Sequence, residues 1–361
     1  MDILDDVEAM NDLDANSMHQ HLSRFPEYCL AGWDEAARLQ VPSKYRQINK
    51  VIFSGMGGSG ISGALISDLL LSEKGPLVYV HRGYDLPAWA DDDTLVIICS
   101  YSGNTEETVE VFHQAVAAEI KTLVVTAGGA LGEKCNDLGI PVCDVPISAQ
   151  PRATLGFVVC ALARIFADLD FVSSQIFPIS HIVDLLQKTN ERLGFDSTVE
   201  EKNAAKFLAR KLVGKTPVIY AGGFLSNVAL RWATQMNENA NRWAFSQSFP
   251  ELNHNSVVAY QQQNQEANKW CVLLLRSPLL HGRILSRYQA THELLTKYAI
   301  SHEVVDFTDF QGPEGGNESF GQILSGILYG DWVSYYLAML EGIDPTPVKP
   351  IEDLKKRLLE L

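Results

Sequence analysis

The sequence predicts an α/β protein of two related domains, each a mainly parallel, doubly wound sheet flanked by helices. Three observations predict it. From about residue 50 strands and helices alternate along the chain, the order that builds parallel sheets through βαβ crossovers. Strands such as Leu95–Cys99 are apolar at every position rather than at alternate ones, which suits burial on both faces. The strand–glycine–helix unit VIFSGMGG, opening at Val51, is echoed by VIYAGGFL at Val218, a likeness of pattern with little identity. At 361 residues the chain exceeds one ordinary domain. The expected division is 1–155 for an N-terminal domain with a helical extension, 156–195 for a helical connector, and 196–361 for a C-terminal domain.

The elements follow in order. In NKVIFSGMGGSGISGALISDLLL a strand over 51–54 runs through a glycine loop into a helix over 60–72. GPLVYVHR reads as a strand, TLVIICSYSGNTEETVEVFHQAVAAE as strand 95–99, a loop and a helix over 105–118, and KTLVVTAGG as a further strand. Residues 153–194 read as helical, with a break around Phe177-Pro178. In the second half, KTPVIYAGG leads from a strand into a helix carrying Asn227, Arg231 and Glu238. KWCVLLLRS and SHEVVDF supply further strands, and LHGRILSRYQATHELLTKY a helix. The aromatic residues of GDWVSYYLAM recur at helical spacing and suit a core or a subunit interface. QQQNQ at 261–265 reads as an exposed turn, and IEDLKKRLLEL as a short terminal helix.

Composition narrows the function. Apolar residues make up 46% and charged residues 20%, close to the globular average. With 44 acidic against 29 basic residues, the formal charge is −15. That balance argues against nucleic acid and anionic membrane surfaces, which need clustered Lys and Arg. An anionic small substrate remains compatible, because helix N-termini bind phosphate whatever the global charge. The acidic N-terminus lacks the pattern of a signal peptide, and no run of about 18 apolar residues occurs. The six cysteines are scattered without a CxxC pair and read as reduced thiols. A cytoplasmic protein is expected.

Gly55-Met-Gly57-Gly58-Ser59-Gly60 satisfies GxGxxG between a strand and a helix, so a dinucleotide site must be weighed. That site needs a carboxylate ending the next strand, where this chain has His81 and Arg82. The second loop, Ser100-Tyr-Ser102-Gly-Asn104-Thr105, packs three hydroxyls at a helix N-terminus. One hydroxyl suffices for a helix cap; three favour a phosphate nest. Two such loops at the carboxyl ends of neighbouring strands mark the crevice where open α/β sheets bind ligands. His19 and His21 resemble a metal pair, but positions i and i+2 diverge on a helix, and no metal is predicted.

GMGGSG followed by SYSGNTEET resembles the signature pair of SIS (sugar isomerase) domains, which bind phosphosugars. Asn237-Glu238-Asn239 and Phe249-Pro-Glu-Leu-Asn253-His254-Asn255 resemble the second domain of bifunctional phosphoglucose/phosphomannose isomerases. The resemblance spans nearly the whole chain, and makes both predicted domains SIS-type. It implies that Ser59, Ser100, Ser102 and Thr105 hold the substrate phosphate, with Gly57 and Gly58 allowing backbone approach. Glu238 is implied as the base moving a proton between C1 and C2, and Arg152 as the cation beside the enediolate. His254 is implied in ring opening, contributed across a homodimer interface, and Lys355, chosen over Lys356, in the same step. Thr346 is implied in admitting mannose as well as glucose stereochemistry. No cofactor and no metal are implied.

The residue types suit this chemistry by themselves. Isomerisation needs a carboxylate for a proton α to a carbonyl, a cation at the developing enediolate, and a group near neutral pH for ring opening. Each residue alone also has an ordinary reading: Glu238 as a solvated charge, Arg152 as a surface salt bridge, His254 as an exposed loop residue. A non-catalytic phosphosugar sensor, an amino-sugar-phosphate enzyme and a dinucleotide oxidoreductase remain as alternatives. A sensor would not need the Glu238, His254 and Arg152 set. The amino-sugar chemistry lacks its N-terminal Cys or glutaminase segment, and the oxidoreductase its ribose carboxylate.

Overall fold

A computed structural model describes residues 2–71, 73–195, 203–261, 269–310, 318–358 and 360. Most of the expected turn at 261–265 lies outside the described residues. Three short helices open the chain: α1 (Val7–Leu13), α2 (Met18–Ser23) and α3 (Phe25–Ala36). The first sheet unit then runs β1 (Lys50–Gly55), α4 (Gly57–Leu70), β2 (Leu77–His81), β3 (Thr94–Cys99), α5 (Glu106–Ala117), β4 (Lys121–Thr126), α6 (Gly129–Leu138) and β5 (Val142–Asp144). Helices α7 (Leu155–Asp168), α8 (Ile179–Leu193) and α9 (Ala204–Leu212) follow. The second unit is β6 (Thr216–Gly222), α10 (Ser226–Asn239), β7 (Phe245–Phe249), β8 (Trp270–Arg276), α11 (Gly282–Lys297) and β9 (His302–Asp306). It closes with α12 (Glu318–Leu340) and α13 (Lys349–Leu358).

The two sheets have the orders β2-β1-β3-β4-β5 and β7-β6-β8-β9, and every pairing is parallel. The predicted α/β architecture is therefore present in both halves. In β1, Val51 and Phe53 join the large core that includes Ile61 and Leu65 of α4, while Ile52 joins Val111 and Phe112 of α5 beneath the other face. This division is the period of two, with both faces covered. A Cβ on Gly63 would stand 2.0 Å from the Phe53 ring, so α4 lies hard against β1. The helix begins at Gly57, three residues before the expected start; Gly57 itself makes the turn out of β1 with φ +51°, a conformation glycine adopts without strain.

Helix α12 is buried along nearly its whole length and packs on α8, α9 and α10. Its aromatic run is core: the Trp332 Nε1–H donates to Asn190 at 2.9 Å and the Tyr336 hydroxyl to the Leu193 carbonyl at 2.8 Å. The opening residues, counted with the first half from sequence, rest on the second. Lys206 Nζ donates to the Leu4 carbonyl at 2.9 Å, and Arg210 pairs with Asp2 at 2.5 Å. His19 faces Asp14 at 2.8 Å and His21 faces the Tyr28 hydroxyl at 2.9 Å, so the two imidazoles serve different contacts. All six cysteines are buried free thiols. No described helix is long and apolar enough to cross a membrane.

The arrangement of α4 against α10 sets the site. Near the C-terminus of α4, Asp68 accepts from the Asn227 backbone N–H at 3.2 Å and from its Nδ2 at 2.7 Å. At the opposite end, Gly58 of α4 approaches Arg152, which in turn bonds Asn239 at the end of α10. The helices are thus antiparallel, and the amino end of α4 meets the carboxyl end of α10.

Candidate active site

Both predicted phosphate loops lie at the carboxyl edge of the first sheet, where the chain leaves β1 toward β2 on one side and crosses to β3 on the other. The side chains leave these helix ends open. Met56 is the N-cap of α4 and makes no side-chain cap. Thr105 is the N-cap of α5 and also makes none; its hydroxyl instead accepts a bond from Ser100 at 3.0 Å. The ordinary-cap reading of these hydroxyls therefore fails. First-turn N–H groups without caps carry the positive end of the helix dipole and suit an anion. Ser100 is buried at the base of the loop, whereas Ser102 is exposed and accepts from the Asn104 N–H at 3.3 Å. Burial pushes the Cys99 thiol up to about 12, and the neighbouring Ser59 hydroxyl opposes that shift. A Cβ on Gly57 would meet nothing within 4 Å, and one on Gly58 would stand 3.5 Å from the Arg152 Cα.

Arg152 follows β5 in a short 3₁₀ turn over Pro151–Thr154 and is 3% exposed. Its Nε donates to Asn239 Oδ1 at 2.8 Å, and its Nη2 to the Pro345 and Thr346 carbonyls at 2.6 and 2.9 Å. These bonds hold the guanidinium plane, and Nη1 points to Glu238 with a separation of 3.6 Å from Oε2. Burial pushes the guanidinium below its usual value and Glu238 opposes that shift. Behind it, Arg231 grips Asp331 through two bonds at 2.9 and 2.8 Å and donates to the Arg152 carbonyl at 2.8 Å. The Asn239 amide also donates to Ser334 at 2.9 Å. So the Asn-Glu-Asn segment divides its labour: Asn237 accepts from the Ala244 N–H at 2.9 Å and shapes the turn into β7, while Asn239 fixes Arg152. Glu238, between them, is half-buried and faces the guanidinium.

The structure therefore gathers Gly57, Gly58, Arg152, Glu238 and Thr346 around the junction of α4, α10 and the Pro345–Thr346 segment. Sequence reasoning missed Asn239, Arg231 and Asp331 as supports of Arg152. The adjacency of Asn239 to Glu238 was the available signal; the Arg231–Asp331 pair left none, because its partners are 100 positions apart.

Two predicted residues stand elsewhere. β6 enters α10, which returns antiparallel and hands the chain to β7, itself parallel to β6. Glu238 thus lies at the amino edge of the second sheet, and His254, beyond the end of β7, at its carboxyl edge. Helix α10 has 14 residues, which span about 21 Å at about 1.5 Å each. His254 is exposed there, while its neighbour Asn253 is bonded to Thr291 at 2.9 Å. Lys355 and Lys356 are exposed on α13, a helix with no buried residue.

Comparison with known proteins gives the family. Residues 44–148 match the SIS domain model, and residues 201–358 match the bacterial phospho-glucose isomerase C-terminal SIS domain. The chain is 35% identical over 345 residues to a bifunctional phosphoglucose/phosphomannose isomerase of Caldicellulosiruptor bescii, covering 95% of this chain and 99% of that one. It belongs to the bifunctional phosphoglucose/phosphomannose isomerase family. A D-glucosamine-6-phosphate 4-epimerase of Sulfolobus acidocaldarius is 30% identical over 68% of this chain and 74% of its own. Among solved structures, a hypothetical protein of Thermus thermophilus superposes with a TM-score of 0.71. That match covers 98% of this chain and 93% of the other at 16% identity, a likeness of fold. Membership of this isomerase family agrees with the tandem parallel sheets.

Proposed function

We propose that the protein interconverts glucose 6-phosphate, and also mannose 6-phosphate, with fructose 6-phosphate through a cis-enediol, without a metal. The observation that carries this reading is the 3.6 Å approach of Arg152 to Glu238 at the amino end of α4. The phosphate sits on the Gly57–Ser59 N–H groups and the Ser100, Ser102 and Thr105 hydroxyls, where two helix dipoles favour a dianion. Glu238 takes the proton from C2 of the aldose and returns it to C1 as a hydroxyl proton passes from O2 to O1, so no net oxidation occurs. Arg152 stabilises the enediolate oxygens as charge develops, and its fixed bonds mean little reorganisation is needed. The intermediate is planar at C2, so one base serves both epimers. Among the described residues the buried Thr346 hydroxyl has no partner, which supports its role in contacting a sugar hydroxyl.

In this reading a second copy of the chain supplies His254 for ring opening. The opposite placement of His254 and Glu238 supports action in trans. So do the exposed Trp243 and Phe245 at edge strand β7, and Ile351, Leu354 and Leu358 on α13. These apolar groups sit at a strand edge and on a helix that one chain leaves uncovered. Lys355 lies on that same helix and assists ring opening once the helix is docked. The buried free thiols suit a reducing cytoplasm.

The test is turnover of fructose 6-phosphate in EDTA, with glucose 6-phosphate and mannose 6-phosphate followed separately. Both products are expected. Glucose 6-phosphate alone would remove the mannose activity, and binding without turnover would leave a sensor. Glucosamine 6-phosphate run in parallel tests a C4 epimerase, the second reading that one relative suggests.

A further inference from the structure

Arg82 is exposed at the end of β2, where the register pairs Ser54 with His81 and so sets Arg82 beside the glycine loop. A Cβ built on Gly60 would stand 3.4 Å from the Arg82 Nε, so the guanidinium lies over the first turn of α4. Among the described residues it has no hydrogen bond or ion pair. The arrangement is electrostatically unfavourable as it stands, because a cation rests against the positive end of a helix dipole. An anion between them reverses the sign of both interactions. Apart from Arg152, whose guanidinium is tied to Asn239, Pro345 and Thr346 and faces Glu238, the rest of the nest offers only neutral hydroxyls and N–H groups, and Glu106 and Glu107 follow in the first turn of α5. In a chain of net charge −15, a phosphate dianion gains a full countercharge at this loop only from a side chain.

We propose that Arg82 is the cationic member of the phosphate site, closing over the anion from the β2 side. The inference rests on the phosphosugar reading and adds a residue that neither glycine nor hydroxyl signature contains. Arg82 acts on binding, since the phosphate lies away from the carbons that exchange protons. A charge-assisted contact of this kind is worth about 10- to 100-fold in affinity.

The experiment compares wild type with Arg82→Ala, Arg82→Gln and Arg82→Lys. The readouts are KM and kcat for fructose 6-phosphate and the rise in Tm produced by inorganic phosphate. Arg82→Ala and Arg82→Gln should raise KM about tenfold or more, lower kcat far less, and shrink the phosphate-induced rise. Arg82→Lys should recover part of both. Tm without phosphate should stay level or rise in Arg82→Ala, because a dipole repulsion is removed. A folded variant with wild-type KM and a wild-type response to phosphate overturns the proposal, as does a fall in kcat at unchanged KM. Should wild type fail to turn over fructose 6-phosphate, the isomerase reading falls, and the phosphate response of the variants still decides the role of Arg82.

Discussion

Nη1 of Arg152 stands 3.6 Å from Oε2 of Glu238, a guanidinium from the first sheet unit facing a carboxylate from the second. The separation exceeds a good hydrogen bond. Arg152 is held by Asn239 and two backbone carbonyls, so its position does not depend on Glu238. The carboxylate thus remains available for proton transfer.

Glu238→Gln should lower kcat by about 10² or more while leaving the phosphate site intact. Glu238 is half-buried and its bonds are not needed to hold Arg152, so Tm should change little. Steady-state kinetics beside thermal unfolding checks both. A variant with near wild-type kcat would remove Glu238 as the base.

Arg152→Lys should be costly despite keeping the charge. Lysine has no planar fork to reach Asn239 and the Pro345 and Thr346 carbonyls together, and it leaves buried acceptors unpaired. We expect a fall in kcat of about 10² or more and a loss of stability of about 2–4 kcal/mol, read by denaturant titration. Asn239→Ala should produce a smaller version of the same kinetic defect.

Asp68 makes stability depend on pH. Burial raises its carboxyl to about 6, against the lowering effect of the Asn227 bonds. A raised folded value means the folded state binds the proton more tightly, so its stabilising contribution is complete below about 4. That contribution is lost as pH rises through about 6. The Tm of wild type and Asp68→Asn should therefore converge below about pH 4 and separate above about 6, the variant becoming relatively more stable. A pH-independent difference would contradict this.

Mixing inactive Glu238→Gln with inactive His254→Ala tests sharing between subunits. If each site takes Glu238 from one chain and His254 from the other, every mixed dimer contains one intact site. Equal mixing and re-association should then restore about a quarter of wild-type activity. No recovery after confirmed subunit exchange would place His254 in the same chain as its site or outside catalysis.

Much of the fold was legible because it rests on local regularities. Continuous apolar runs marked β3 and β4, and glycine loops marked where strands turn into helices. The Ser100–Thr105 hydroxyl cluster was legible for the same reason, since its members are neighbours in the chain. Helix ends were read less well: α4 starts three residues early because a glycine taken as loop makes the turn itself. The packing of the N-terminal residues on α9 carried no local signal.

Sequence alone determined the alternating elements, the two glycine- and hydroxyl-rich loops that lead into helices, and the acidic balance, all properties of near neighbours or of composition. Tertiary structure decided which distant groups meet. It brought Arg152 to Glu238, set Arg231 against Asp331 behind them, laid Arg82 on the first turn of α4, and left His254 at the far edge of its own sheet. The physical reason is that periodicity and turn chemistry act over a few residues, whereas a buried guanidinium takes its partners from whichever elements the folded chain packs around it.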